Sequence, residues 1–355
     1  KLGDFILGDE DTWGEAALSG YLRRLDTDEV RACGMDVLDG SQFDPYLTEA
    51  AKVGGQVFVT MVSGEHIDMQ LGGFYAFNKQ LVADAGYPAE VIYQAVRDGV
   101  WTWDVYIDIC RAGAVYDEES GAYTVWGSTL YNTVRVINTM CEGIIVFQDG
   151  RYVSNLGDIS LNSAISTLLG RLLGDPTVYQ PPAKIYGSPW IEFSEQKTLF
   201  GSFDNLYTLI QRAPFDYGVV PMPRGGAVIE YSSTLPGCSG YCLQTANGDW
   251  EKSCFIFGKL GEALNDTEAA VKRLSSLLPD AESLEMMREY ILPNTKAEHV
   301  YINQEMIETW FEFYSEVKNA YQSGVGLQES IAAATSEYGD VFSAAVESAF
   351  EAFNK

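Results

Sequence analysis

Residues 74–86 run Phe74-Tyr75-Ala76-Phe77-Asn78-Lys79-Gln80-Leu81-Val82-Ala83-Asp84-Ala85-Gly86. Four consecutive apolar residues make a strand buried on both faces, Asn78-Lys79 opens a helix through Asp84, and Gly86 stops it. A strand feeding directly into a helix is the unit of an α/β architecture. Upstream, Val57-Phe58-Val59-Thr60-Met61-Val62 is a β-branched, continuous run that predicts an interior strand leading into the polar Ser63-Gly64-Glu65-His66. Asp4-Phe5-Ile6-Leu7 predicts another strand, which opens into an acidic loop at Gly8-Asp9-Glu10-Asp11, followed by a helix over Leu18–Leu25.

Downstream the alternation continues. Trp103–Ala112 reads as a helix capped by Thr102, and Leu161–Leu173 and Glu251–Leu264 are amphipathic helices. Between them, Asp216–Gly226 holds a strand stopped by two prolines and two glycines. From about Ala281 strand signals give way to helical periodicity over Ile302–Tyr321, Leu327–Ala334 and Phe342–Phe353, an all-helical tail. A chain of 355 residues exceeds one ordinary core, so two domains are expected, with no low-complexity linker to separate them.

The composition excludes several partners. Fifty acidic against 23 basic residues give a formal charge of −27, which argues against nucleic acid and anionic membranes because both demand clustered cations. No run of about 18 apolar residues could span a bilayer. Six cysteines, at 33, 110, 141, 238, 242 and 254, show no C-x-x-C spacing. Cys238 and Cys242 share one face of a strand but lie too far apart to bridge readily, so buried thiols are expected there. There is no G-x-S-x-G elbow, P-loop or H-E-x-x-H, and two histidines cannot build a histidine-rich metal site. Neither a cofactor nor a metal is called for.

In order along the chain, several segments resemble family 1 of the bacterial extracellular solute-binding proteins, the group that includes the maltose-binding proteins. Phe74–Leu81 with Ala85-Gly86 resembles the family's strand and Tyr-Asn-Lys helix start, and Trp101-Thr102-Trp103-Asp104 its Thr-Trp-Asp/Glu helix cap. Phe193 with Lys197-Thr198-Leu199-Phe200 resembles its Phe-x-x-Gly-Lys-Ala-Ala-Met segment, with Gln196 in place of the glycine. Phe215–Pro223 resembles its Tyr-Gly-Val-x-x-x-Pro segment, and Cys238–Leu243 with Asn247–Lys252 its returning strand and following helix. Against that pattern Asp4–Leu7 matches the third element, so an earlier strand and helix are expected to be missing.

The resemblance implies a two-lobed, periplasmic-binding-protein-like α/β fold with interlobe crossover strands, a helical C-terminal tail and a hinge-closing cleft. The crossings fall near Ser63–Met69, Glu230–Leu235 and Leu292-Pro293-Asn294. They place residues 1–63 plus 236–292 in lobe one and 64–235 plus 293–355 in lobe two. The implied function is capture of a small organic solute, a mono- or oligosaccharide, for an ABC importer. The implied partner is the membrane permease, and the implied state a monomer, extracellular and either lipid-anchored or periplasmic. It is not an enzyme.

Ligands of open α/β sheets bind beyond the carboxyl ends of strands, which selects Asp9, Asp11 and Trp13; His66 and Asp68; Phe203, Asp204 and Asn205; and Tyr231 and Ser232. Tyr131 and Asn132 join them by position in the family pattern. Carboxylates, amides and hydroxyls suit sugar hydroxyls, and Trp13, Phe203 and Tyr231 can stack on a pyranose face. Trp13 equally suits packing on the following helix, and His66 hinge packing, while Trp101 and Trp103 read as structural. The acidic set could instead select a polyamine or other cationic solute, and paired carboxylates would also suit a glycoside hydrolase. A ferric-type site would favour an adjacent tyrosine pair, which is absent, and a scaffold module a flat aromatic patch.

Overall fold

The computed structural model describes residues 5–62, 72–129, 132–181, 190–226, 228–235, 239–264 and 267–353. The expected crossing at Ser63–Met69, with His66 and Asp68, and the positions Tyr131 and Cys238 lie outside the described residues. Strands in chain order are β1 (Phe5–Gly8), β2 (Val59–Thr60), β3 (Phe74–Asn78), β4 (Val115–Asp117), β5 (Ala122–Val125) and β6 (Ile145–Gln148). They continue with β7 (Arg151–Ser154), β8 (Phe200–Phe203), β9 (Tyr217–Pro221), β10 (Ser233–Leu235), β11 (Gly240–Leu243) and β12 (Thr295–Ala297).

Two three-stranded sheets organise the molecule. The first has the order β1-β11-β2 and the second β8-β3-β9, each with its outer strands antiparallel to the central one. The run at residues 74–77 occupies the centre of the second sheet, and its apolar continuity is explained by cover on both faces. Tyr75 and Phe77 pack with Trp101, Trp103, Tyr106 and Phe200, whereas Phe74 and Ala76 pack with Phe193, Phe203, Leu209, Met287 and Ile291. Asn78 accepts from the amides of Gln80 and Leu81, starting the helix Lys79–Asp84, which ends before Gly86 at a φ of 90°. Thr102 caps Trp103–Gly113 as expected. Trp101 and Trp103 are fully enclosed, their indole nitrogens donating to the Pro221 carbonyl and to Thr139 Oγ1, both at 2.8 Å.

Four local expectations are corrected. The acidic segment after β1 is the start of a helix, Glu10–Leu18, rather than a loop. Residues 19–25 are not helical: Gly20 turns the chain with a φ of 74°, and Arg23 and Leu25 donate their amides to Leu243 and Val57. Leu22 and Leu25 have helical spacing, yet they are inward positions of an extended segment along the first sheet. In the tail, β12 interrupts the helices, and Leu327–Ala349 is one helix where two are expected. Finally, residues 274–292 pack on the second sheet: Leu274, Leu278, Met287 and Ile291 share the cluster of Phe74 and Phe203. Lys79 bridges Asp216 at 2.9 Å and Asp280 at 2.8 Å, and the Val219 amide donates to Ser283 Oγ at 3.0 Å.

Among the described residues no helix is long and apolar enough to cross a membrane. The five described cysteines are free thiols, four of them buried, and burial raises the Cys242 thiol to about 11.

Candidate functional site

The registers of the two sheets define which of their ends meet. Gly8, the last residue of β1, pairs with Gly240, so Asp9 sits where β11 begins, and Ser239 Oγ donates to Asp9 Oδ1 at 3.2 Å. Phe203, the last residue of β8, pairs with Phe74, the first of β3, and Pro221 ends β9 at the same edge. β10 and β12 lie side by side in parallel, and the Gly73 amide donates to the Thr234 carbonyl at 3.0 Å while Ser233 Oγ donates to the Gly73 carbonyl. Three passages of the chain therefore run together beside β3, and β10 leads within a few residues to β11 and Asp9.

Close approach at this junction demands glycine. A Cβ on Gly72 would lie 2.2 Å from Ser233 Oγ, and one on Gly73 would lie 2.0 Å from Arg135 Cδ. The space left by Gly73 admits the Arg135 side chain, 1% exposed, whose Nη2 reaches Asp204 Oδ2 at 3.1 Å. Asn132 caps the helix Thr133–Asn138 by accepting the Arg135 amide, and Asn205 caps Leu206–Arg212 by accepting the Thr208 amide. Asp204 thus pairs with one buried guanidinium at the edge of the second sheet, while Asn132 caps the helix that carries Arg135 and Asn205 the helix that follows Asp204. Tyr231 and Ser232 precede β10 directly, and the buried hydroxyls of Ser232 and Thr234 have no hydrogen-bond partner among the described residues. Buried hydroxyls of this kind are ready donors and acceptors for an incoming polar group.

The aromatic expectations are corrected. Trp13 is 1% exposed within the core, on a helix whose Gly14 lies against Ile302, so it packs and does not offer a stacking face. Phe203, also 1% exposed, is wedged between Phe74, Trp190 and Phe193. Tyr231 is buried, its hydroxyl donates to the Val96 carbonyl at 3.2 Å, and burial pushes its phenol up to about 12. Asp9 is exposed, and no hydrogen bond joins it to the second-sheet cluster among the described residues; Asp11 lies in the first turn of the helix, and its side chain is outside the described residues.

Two residues missed in the sequence lie near this edge. Trp190 is partly exposed, donates from its indole nitrogen to the Ser202 carbonyl at 2.8 Å and stacks on Phe203 at 6.0 Å. Its place just before the Phe193 segment is the only sequence signal it carries. Tyr46 follows Asp44, the cap of Pro45–Ala50, and packs against the second-sheet cluster from the helix that also lies beside β12. Burial, Asp44 and Glu289 raise its phenol above the ordinary range. Among the described residues no group of three or more His, Cys, Asp or Glu side chains could hold a metal.

The architecture is that of the two-lobed periplasmic binding proteins. In solved structures the chain is similar to an ABC substrate-binding protein from Listeria monocytogenes in complex with cycloalternan, at 17% identity and a TM-score of 0.60, covering 95% of this chain and 84% of that one. A cyclic α-maltosyl-1,6-maltose binding protein from Arthrobacter globiformis gives 17% identity and 0.64, covering 97% and 85%. UgpB from Mycobacterium tuberculosis in complex with glycerophosphocholine gives 13% and 0.64, covering 98% and 85%. No protein-family model and no curated protein matches the sequence.

Proposed function

We propose that the chain is the extracellular solute-binding component of an ABC importer, a non-catalytic protein that captures a mono- or oligosaccharide between two lobes and closes on it. One lobe comprises residues 1–63 with 236–264, the other residues 64–235 with 274–355. The observation that carries this reading is the junction itself. Three passages lie side by side, and polar residues stand at the sheet edges on either side of them: Asp9 on one, Asn132, Asp204, Asn205 and Ser232 on the other. Side-by-side crossing strands permit hinge bending without disturbing either sheet. A permease can select the loaded form only if ligand favours the closed state over the open one, so ligand groups must touch both edges.

Saccharide is the favoured class because the proteins of Listeria and Arthrobacter named above are described with cycloalternan and with cyclic α-maltosyl-1,6-maltose, and because the edge residues are amides, hydroxyls and carboxylates. A cationic solute is disfavoured by the neutralisation of Asp204 by Arg135. The importer reading places the protein outside the cytoplasm, with a permease as partner and the monomer as working unit. A thermal-shift screen against mono- and oligosaccharides, polyamines and glycerophosphodiesters tests it. A large shift with one sugar class is expected, whereas a shift with polyamines alone, or hydrolysis of the sugar, would overturn it.

A further inference from the structure

A second concavity shares no lining residue with the junction. It has a volume of about 780 Å³, within the range of small-ligand sites, and is walled by β4, β5, the segment after residue 168 and the end of the helix Gln304–Gln322. Tyr116 and Tyr123 face each other across the β4–β5 pair, edge to face at 5.1 Å. Tyr179 follows Thr177 and Val178, whose carbonyls are fixed by the amides of Gly127 and Ser128. Lys318, Tyr321 and Gln322 enter from one helix face at i, i+3 and i+4 spacing.

Three features of this wall point to one ligand chemistry. None of the four tyrosine hydroxyls hydrogen-bonds to another group among the described residues, and Tyr116 is 53% exposed. Lys318 has no ion-pair partner among the described residues, and no carboxylate lines the wall, although the chain carries a formal charge of −27. An uncompensated cation with aromatic faces and free hydroxyls offers stacking to the apolar face of a sugar ring and hydrogen bonds to its rim. The same wall disfavours a polyamine, which Lys318 would repel.

We propose that this groove is a second saccharide-binding site, separate from the interlobe cleft, which takes a neutral pyranosyl oligosaccharide. It stands whether or not the cleft binds sugar. The test is calorimetric titration with saturation-transfer NMR, using maltotriose, cellotriose and mannotriose as probes on the wild-type chain, Tyr116→Ala, Tyr116→Ala/Tyr321→Ala and the cleft variant Asp204→Asn. The expected result is one class of binding that weakens about tenfold or more in both groove variants and is unchanged in Asp204→Asn. Tyr116 is half exposed, so its single variant should melt as the wild type does and separates lost binding from lost folding. Binding that all groove variants retain, or no binding of any probe at millimolar concentration, overturns the proposal. Loss in the groove variants alone, with no class sensitive to Asp204→Asn, retains this site and counts against the cleft.

Discussion

Glu298 is the residue where burial and charge conflict most. It follows β12 directly, is 4% exposed, and accepts hydrogen bonds from the Asn138 amide nitrogen and the Val300 amide. Burial raises its carboxyl to about 7, more than those two bonds lower it. Next to it, burial lowers the His299 ring below its usual range, and its Nε2 lies 3.0 Å from the Lys52 carbonyl and 3.2 Å from the Tyr152 hydroxyl. Because the folded pKa of Glu298 lies above the unfolded one, its contribution is fully present below about pH 4.5 and is lost as pH rises through about 7. The wild type should lose about 2–3 kcal/mol of unfolding free energy from this group between pH 5 and pH 8. Glu298→Gln removes the titration while keeping the shape, so urea denaturation of the two proteins should diverge progressively from about pH 4.5 and level off above about pH 7, with the variant the more stable there. Parallel pH curves would show that the carboxyl ionises freely in the folded state. Arg135 makes the complementary case: its guanidinium is buried, and Arg135→Ala should cost about 3–5 kcal/mol by stranding Asp204 and emptying the space beside Gly73.

At the scale of elements, the junction rests on backbone approach more than on side chains. Gly73→Ala pushes a methyl into Arg135, and Gly72→Ala one into Ser233, so each should cost about 1–3 kcal/mol by overpacking. Equilibrium denaturation measures this, and an unchanged midpoint in both variants would mean that the passages are not held this closely. Elements whose signals are local were legible in the sequence. Residues 74–86 carry their own strand run, cap and stop, and Thr102 and Asn78 are caps that bond where their chemistry predicts. Elements defined by distant partners were not. β12 has three residues and is a strand only because β10 lies beside it, and Leu22 is an edge position only because Gln244 faces it. The candidate residues divide in the same way. Asp204 and Asn205 follow a strand whose end is a sequence feature, and Asn132 rests on the resemblance, whereas the enclosure of Phe203, and the choice of packing over stacking for Trp13, depend on distant neighbours that the sequence does not show.

For the whole molecule, two lobes would ordinarily suggest two melting transitions. The packing argues otherwise. One apolar cluster runs from Trp13 and Leu47, through Tyr75 in the second sheet and Trp103 on the helix beside it, to Trp310 and Phe350 in the tail. The Gly54 amide donates to the Tyr152 hydroxyl at 2.7 Å, and Tyr152 stacks on Phe350 at 3.8 Å, so the tail and the β6–β7 hairpin hold the turn at 52–54. Separating the sheets would expose this shared cluster, so neither should outlast the other. Calorimetry should show a single transition. A cleft ligand at a hundred times its dissociation constant should move that transition upward as one, by about 2.7 kcal/mol of added stability. Two resolved transitions, with only one responding to ligand, would mean that the ligand contacts one lobe alone. The proposed recognition of a loaded, closed form by a permease would then fail, since a ligand held by one edge has no differential affinity for the closed form.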